Sequence, residues 1–216
     1  MFIDMHMHEM TYSKDSFLQL DEIVQIAKQK GLGAVCITDH DSMGLKEYAA
    51  EYSQKTGFPV FVGIEFFSLQ GDIVAFGIDE YPGERIPAQE FIDLVKKQNG
   101  VCFAAHPFRN NKRGLEENLR TVTGLDGIEV LNGSTSVEAC QKAARYAMEL
   151  GYYTIGSSDC HVPEKSAYVR RGSRRKCVRW KNSCLLFAEE RCGRHIMQTA
   201  RIMFWRYKSM EEACLV

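Results

Sequence analysis

Apolar residues along this chain fall into short runs, separated by longer stretches in which they recur every three or four positions. The short runs predict strands at Phe2–Met5, Gly33–Thr38, Val60–Ile64, Ile73–Ile78, Val101–Ala105, Gly127–Leu131 and Tyr152–Gly156. The periodic stretches predict helices over Leu20–Lys30, Leu45–Thr56, Pro87–Asn99 and Ser136–Leu150. Ile23, Ile26 and Ala27 share one face of the first helix; Phe91, Leu94 and Val95 form the stripe of the third. Gly31, Gly57 and Gly100 stand where three of these helices must stop. Strands alternating with helices at this spacing predict an α/β fold with a mostly parallel sheet. The polar loops at 83–87 and 110–114 are too short to separate domains.

Composition changes this picture only at the C-terminus. Across the 216 residues, 45% hydrophobic and 25% charged positions are ordinary for a globular chain. No apolar run has the length needed to cross a bilayer, and Met1-Phe2-Ile3-Asp4 lacks the basic and apolar regions of a secretory signal. No membrane partner and a cytoplasmic location are therefore expected. The eight cysteines show no paired metal-type spacing; Cys36 and Cys102 lie in apolar runs and read as small core residues. The net charge of -1 hides an asymmetry: residues 1–169 hold 15 Lys+Arg against 24 Asp+Glu, and residues 170–216 hold 12 against 4.

Candidate chemistry appears when the histidines are placed on the predicted elements. His6 and His8 follow the first strand, His40 the second, His106 a later one and His161 the last; Glu65 ends the third. Five of the six histidines thus recur at the carboxyl ends of strands, where α/β folds carry their active sites. His-x-His in extended backbone puts both rings on one face, and Asp159-x-His161 repeats the device with a carboxylate. Imidazole with carboxylate suits Zn, Mn or Fe, and several carboxylates beside several imidazoles imply more than one divalent ion. The sixth histidine, His195, lies in the basic tail and is not expected to ligate. Arg109, three residues after His106, is a candidate clamp for a phosphate in the substrate, with Lys112 and Arg113 as weaker ones. Asp39 and Asp41 are candidate catalytic acids for a leaving oxygen.

In six stretches the chain resembles the PHP (polymerase and histidinol phosphatase) family of metal-dependent phosphoesterases. They are Asp4-Met5-His6-Met7-His8 with Ser13 and Asp15 close behind, Ile37-Thr38-Asp39-His40-Asp41, Gly63-Ile64-Glu65, Ala105-His106-Pro107, Gly127 to Asn132, and Ser158-Asp159-Cys160-His161. The resemblance covers residues 1–165 and implies a distorted (β/α)7 barrel, TIM-like. It also implies that His6, His8, Glu65 and Asp159 hold one metal, that Glu65 bridges to a second at His106, and that Asp15, His40 and His161 hold a third. Many members place a further histidine between the positions of His106 and Asp159; this chain has none, which leaves Glu129 or Asn132 as replacements, or a second metal held by fewer protein ligands, and two or three ions as the expectation. The implied activity is hydrolysis of the phosphate ester of a small metabolite or nucleotide by a metal-activated hydroxide. The alternatives are histidinol-phosphate phosphatase and a metal-binding regulatory module without turnover.

Residues 170–216 do not continue the pattern. Arg170-Arg171-Gly172-Ser173-Arg174-Arg175-Lys176 is a basic run, and four cysteines with Trp180 and Trp205 follow it. Two readings compete. A basic aromatic tail can bind nucleic acid, which the rest of the chain gives no reason to expect. A changed reading frame would instead leave the barrel incomplete at its C-terminus, and the abrupt shift with no linker favours this one. The expected organisation is a PHP-type domain over 1–169 and an atypical tail over 170–216.

Overall fold

A computed structural model describes residues 2–163 of the chain. The basic tail, with both readings of it, lies outside the described residues. The elements run β1 (Ile3–Met7), α1 (Leu20–Gln29), β2 (Ala34–Ile37), α2 (Lys46–Thr56), β3 (Val60–Val62), β4 (Ile64–Phe67), β5 (Asp72–Phe76), α3 (Ala88–Lys97), β6 (Val101–Ala104), β7 (Gly127–Asn132), α4 (Val137–Leu150) and β8 (Tyr153–Ser157). A 3₁₀ turn over Glu116–Arg120, which the apolar pattern does not announce, precedes β7.

The helices form for the reasons their periodicity suggests. α1 buries Leu20, Ile23, Val24 and Ala27, and α3 buries Ala88, Phe91, Ile92 and Val95, each set spaced as one helical face. α4 buries the small residues Cys140, Ala143, Ala144 and Ala147, which lets its backbone lie close against β7. The Ser136 hydroxyl caps α4 by accepting the Ala139 N–H. Gly57 and Gly151 end α2 and α4 in the left-handed conformation. At the end of α3 it is Asn99, not Gly100, that takes the left-handed turn.

Hydrogen bonding divides the strands into two sheets, ordered β1-β2-β3 and β4-β5-β6-β7-β8. The first is parallel throughout; in the second only β5 is reversed, antiparallel to both β4 and β6. The run expected as one strand over Val60–Ile64 is two, split at Gly63. A Cβ at Gly63 would lie 2.4 Å from the Ala75 carbonyl oxygen and 2.5 Å from the Phe76 ring, so only glycine lets the chain leave one sheet and enter the other there.

Both sheets face a shared interior of Met5, Cys36, Val74, Phe76, Phe103, Ala105 and Ile155. α1 and α2 cover the outside of the first sheet, and α3 and α4 that of the second. The arrangement is α/β and TIM-like in plan. Among the described residues the hydrogen bonding does not run round as one closed ring. The sheets meet instead through two isolated bridges, Met7↔Cys160 and His40↔Glu65. Both seams are therefore stitched at the end where the chemistry-bearing residues lie. Cys36, Cys102, Cys140 and Cys160 are buried free thiols, and no described helix is long and apolar enough to cross a membrane.

Replacing Gly63 with valine forces a side chain against both the Ala75 carbonyl, which is backbone and cannot swing away, and the Phe76 ring. Overpacking of this kind costs about 1–3 kcal/mol, so Gly63→Val is expected to lower the thermal midpoint by several degrees. An unchanged midpoint would contradict the role given to this glycine.

Candidate metal centre

Five strands and one loop deliver the candidate ligands. His6 lies within β1 and His8 just beyond it; His40 follows β2, His106 follows β6, Asp159 and His161 follow β8, and Asp15 comes from the loop after β1. Glu65 is the second residue of β4 rather than the end of a strand, because the break at Gly63 restarts the strand before it. Asp41, His106 and Asp159 have φ of 50°, 24° and 48°. Such backbone is strained for non-glycine residues and persists where the surroundings over-determine it. His6, His8, Glu65, His106 and Asp159 are buried. His40 and His161 are half-buried and Asp15 is exposed.

The buried donors converge. His6 Nε2 lies 3.1 Å from His8 Nε2, 3.3 Å from Glu65 Oε1 and 3.7 Å from Asp159 Oδ1. His8 Nε2 lies 3.5 Å from Glu65 Oε2 and 3.3 Å from Asp159 Oδ1. Donors bonded at about 2.0–2.2 Å to one tetrahedral ion would lie roughly 3.3–3.6 Å apart, so these four side chains have the spacing of one ligand set. A second group joins it through Glu65, whose Oε1 is 2.8 Å from His106 Nε2. A third consists of Asp15 Oδ2, His40 Nε2 and His161 Nε2, separated by 3.2, 3.4 and 3.5 Å. His40 Nδ1 also approaches Glu65 Oε2 to 2.7 Å, without a hydrogen bond in line.

Surrounding groups decide which ring nitrogen faces inward. Glu129 Oε1 lies 3.3 Å from His6 Nδ1, and Ser13 Oγ 3.1 Å from His8 Nδ1. His161 Nδ1 sits 3.1 Å from the Asp159 carbonyl. Each partner holds a proton on Nδ1 and leaves the Nε2 lone pair facing the cluster. Two Nε2 atoms at 3.1 Å require a proton or a metal cation between them. Glu65 Oε2 and Asp159 Oδ1 are likewise buried and accept no aligned hydrogen bond, a costly state for a carboxylate. Inward lone pairs, orphaned carboxylate oxygens and ligand-like spacing all fit divalent ions bound at His6, His8, Glu65 and Asp159, at Glu65 and His106, and at Asp15, His40 and His161.

The charge balance is tight. Burial opposes charge on His6, but the carboxylates of Glu65, Glu129 and Asp159 outweigh it and hold its pKa well above the ordinary histidine value. Burial, reinforced by the nearby His6, takes His8 down to about 4 despite the pull of Asp159 and Glu65. Burial also opposes ionisation of Glu65, yet the His6 charge, the His106 hydrogen bond and the close His40 imidazole hold its carboxyl well below the usual range. Asp159 is buried too and is pulled down by His6 and His8.

All eight candidate ligands are brought together, and Arg109 joins them: its Nη1 donates to Asp159 Oδ2 at 2.6 Å. Asp39 is buried, and burial pushes its carboxyl up to about 6. Its Oδ1 accepts the Glu9 N–H at 2.7 Å and the Ser13 hydroxyl at 2.8 Å, so it positions His8 through Ser13. Asp41 is exposed and accepts the Phe67 N–H at 2.8 Å. Glu129 and Asn132 are turned to other partners. Glu129 Oε2 accepts the His106 N–H at 2.7 Å and the Asn132 amide at 3.0 Å, and Asn132 Oδ1 accepts the Ser134 N–H at 2.9 Å. Lys112 is exposed on its loop, while Arg113 forks onto Asp72, with Nε to Oδ2 at 2.7 Å and Nη2 to Oδ1 at 2.9 Å.

Asp72 escaped the sequence reading. It is fully buried, its Oδ2 lies 3.9 Å from His106 Nε2, and burial and the Glu65 charge push it up to about 7. Strand order alone points to polar residues at the carboxyl ends of strands. β5 runs backwards, so its first residue reaches the ligand end. Asp4 was also missed as a structural group: its Oδ1 accepts the Ser158 N–H at 3.0 Å and bridges the β1–β8 seam.

An interior cluster of imidazoles and carboxylates at the strand ends of this α/β fold has the donor set that metal-dependent hydrolases use. The PHP domain family matches residues 4–148 and the PHP-associated family residues 137–165. The chain belongs to the PHP domain family. It is 29% identical over 118 residues to an uncharacterized protein of Methanocaldococcus jannaschii, covering 55% of this chain and 68% of that one. Among solved structures it is similar to a Bifidobacterium adolescentis protein assigned as a metal-dependent phosphoesterase, with TM-score 0.63 and 20% identity over 74% of this chain and 88% of that one. It is similar also to an amidohydrolase of Chromobacterium violaceum, with TM-score 0.62 and 20% identity over 77% of this chain and 89% of that one. At these identities the likeness to both structures is one of fold.

The raised pKa of His6 makes a prediction about metal binding. A ligating imidazole must be neutral at the ligating nitrogen, so an ion at His6 displaces a proton. Affinity for Mn is expected to rise with pH as that proton is lost. At pH 7, calorimetric titration in buffers of different ionisation enthalpy should show net proton release. Binding without proton release would contradict the charge balance described.

Proposed function

We propose that this chain hydrolyses the phosphate ester of a small phosphorylated metabolite or nucleotide, using two or three divalent ions (Mn, Zn or Fe) held by His6, His8, Asp15, His40, Glu65, His106, Asp159 and His161. The observation that carries the reading is the convergence on Glu65, where one buried carboxylate is shared among His6, His8, His40 and His106. Shared carboxylates are how adjacent ions are held for phosphoester hydrolysis. When bound, such ions polarise the phosphoryl oxygens and lower the pKa of water.

The residues of the chain supply the rest. Burial falls from His6, His8 and Glu65 toward His40, His161 and Asp15, so a substrate approaches from the Asp15 side. Arg109 is partly exposed and held by one donor on Asp159. Its planar fork can turn a second pair of N–H groups toward a phosphoryl oxygen, neutralising charge that builds up as the ester breaks. Of the two candidate acids, Asp41 has the exposure to meet a leaving oxygen. Asp39, beneath Glu9 and Ser13, supports His8.

The test is hydrolysis of p-nitrophenyl phosphate after reconstitution with Mn, Zn, Fe or Mg, followed by a panel of nucleotides and sugar phosphates. Turnover with at least one ion is expected. Arg109→Ala should lower kcat/KM by roughly 10–100-fold, the worth of a charge-assisted hydrogen bond, and Glu65→Gln should remove activity. A folded, metal-loaded sample without turnover for any ion would overturn the proposal and leave a metal-binding regulatory module.

A further inference from the structure

Glu65 Oε1 and His106 Nε2 are 2.8 Å apart and make an incomplete ligand set. Transition-metal sites of this kind use at least three protein donors. Glu129 cannot complete the set, because both of its oxygens are engaged: Oε1 by His6 and Ser157, Oε2 by the His106 backbone and Asn132. Asn132 Oδ1 is taken by the Ser134 N–H and the Thr135 hydroxyl.

Asp72 stands in the right place. It opens the reversed strand β5, two residues before Val74 and four before Phe76. Val74 and Phe76 face the shared interior, and strand alternation puts Asp72 on the same face, one layer toward the ligands. It is completely buried, and donor atoms of Glu65, Asp72 and His106 all lie within 4.8 Å of one another. Arg113 grips both carboxylate oxygens of Asp72 at 2.7 and 2.9 Å. Two N–H donors use about half of the four acceptor positions on a carboxylate, so each oxygen keeps a lone pair. The guanidinium of Arg113 is itself braced 4.4 Å over the Phe67 ring, which Arg85 also covers at 3.7 Å.

Resting on the metal-dependent reading of the same site, we propose that Asp72 is the third protein ligand of the ion shared by Glu65 and His106. Arg113 is its positioning residue: it fixes the carboxylate's rotation and touches neither substrate nor ion. Outer partners of this kind typically change metal affinity by about 10–100-fold.

The test titrates purified full-length protein with Mn to saturation, reads Mn bound per chain by equilibrium dialysis with mass spectrometry, and reads Mn–Mn coupling by electron paramagnetic resonance. Wild type is expected to hold at least two ions and show a coupled pair. Asp72→Asn should hold one fewer and lose the coupling. Arg113→Gln should keep the pair at saturating Mn, with affinity reduced about 10–100-fold. Asp72→His offers an imidazole that can ligate but cannot fork with Arg113; recovery of the coupled pair there is expected, and it separates ligation from packing. A wild-type count and coupling in Asp72→Asn would overturn the inference. So would equal loss of the ion in Asp72→Asn and Arg113→Gln at saturating Mn. Wild-type protein that takes up no Mn would overturn the proposed function instead.

Discussion

Glu65 carries an anion into the interior of the protein at the place where the two sheets meet. Its N–H donates to the Asp39 carbonyl at 3.2 Å, and its own carbonyl accepts the Asp41 N–H at 3.0 Å. Those two bonds are the bridge between β4 and the end of β2. Its side chain meanwhile lies against four histidines. A buried carboxylate is tolerable only when cations surround it, so the seam of the fold and the charge of the site are one problem with one solution. Ions that bind the folded chain and not the unfolded one add their binding energy to its stability. Closure of the seam and occupancy of the site are thereby coupled.

The other seam is built in the same way. Met7 bridges to Cys160 between ligands on both sides, His6 and His8 on one strand and Asp159 and His161 on the other. Asp4 reaches across from β1 to the Ser158 N–H. Deeper in the interior the sheets are held by apolar side chains such as Met5, Phe76 and Ile155. The molecule is thus layered: hydrocarbon below, charged ligands above, and strained backbone at Asp41, His106 and Asp159 turning the chain where the layers meet.

Much of this was legible in the sequence, and the reasons are specific. His6, His8, His40, His106 and His161 could be placed because each lies within or just past a strand whose apolar run ends nearby. α1 and α3 could be placed because their buried residues repeat at helical spacing. The division at Gly63 was hidden, since Val60 to Ile64 reads as one apolar run and the clash that requires glycine comes from Ala75 and Phe76, distant until the chain folds. The reversal of β5 was hidden for a related reason. The turn made by Ser68 and Gly71 is short, and alternation of strand and helix fails where two strands are adjacent. Asp72 was lost with it, because a rule that inspects carboxyl ends of strands passes over the amino end of a reversed one. Side-chain pairings such as Arg113 with Asp72 or Ser13 with Asp39 depend on distances between loops that no spacing rule contains.

We propose that the cluster around Glu65 is a centre for more than one ion, and not a network of protonated histidines paired with carboxylates. Crystals grown with Mn and measured near its absorption edge test it directly. Separate anomalous peaks are expected on either side of Glu65, one within bonding distance of His6, His8 and Asp159 and one within bonding distance of His106. An anomalous map with no peak at Glu65, in protein crystallised with excess Mn at neutral pH, would contradict it.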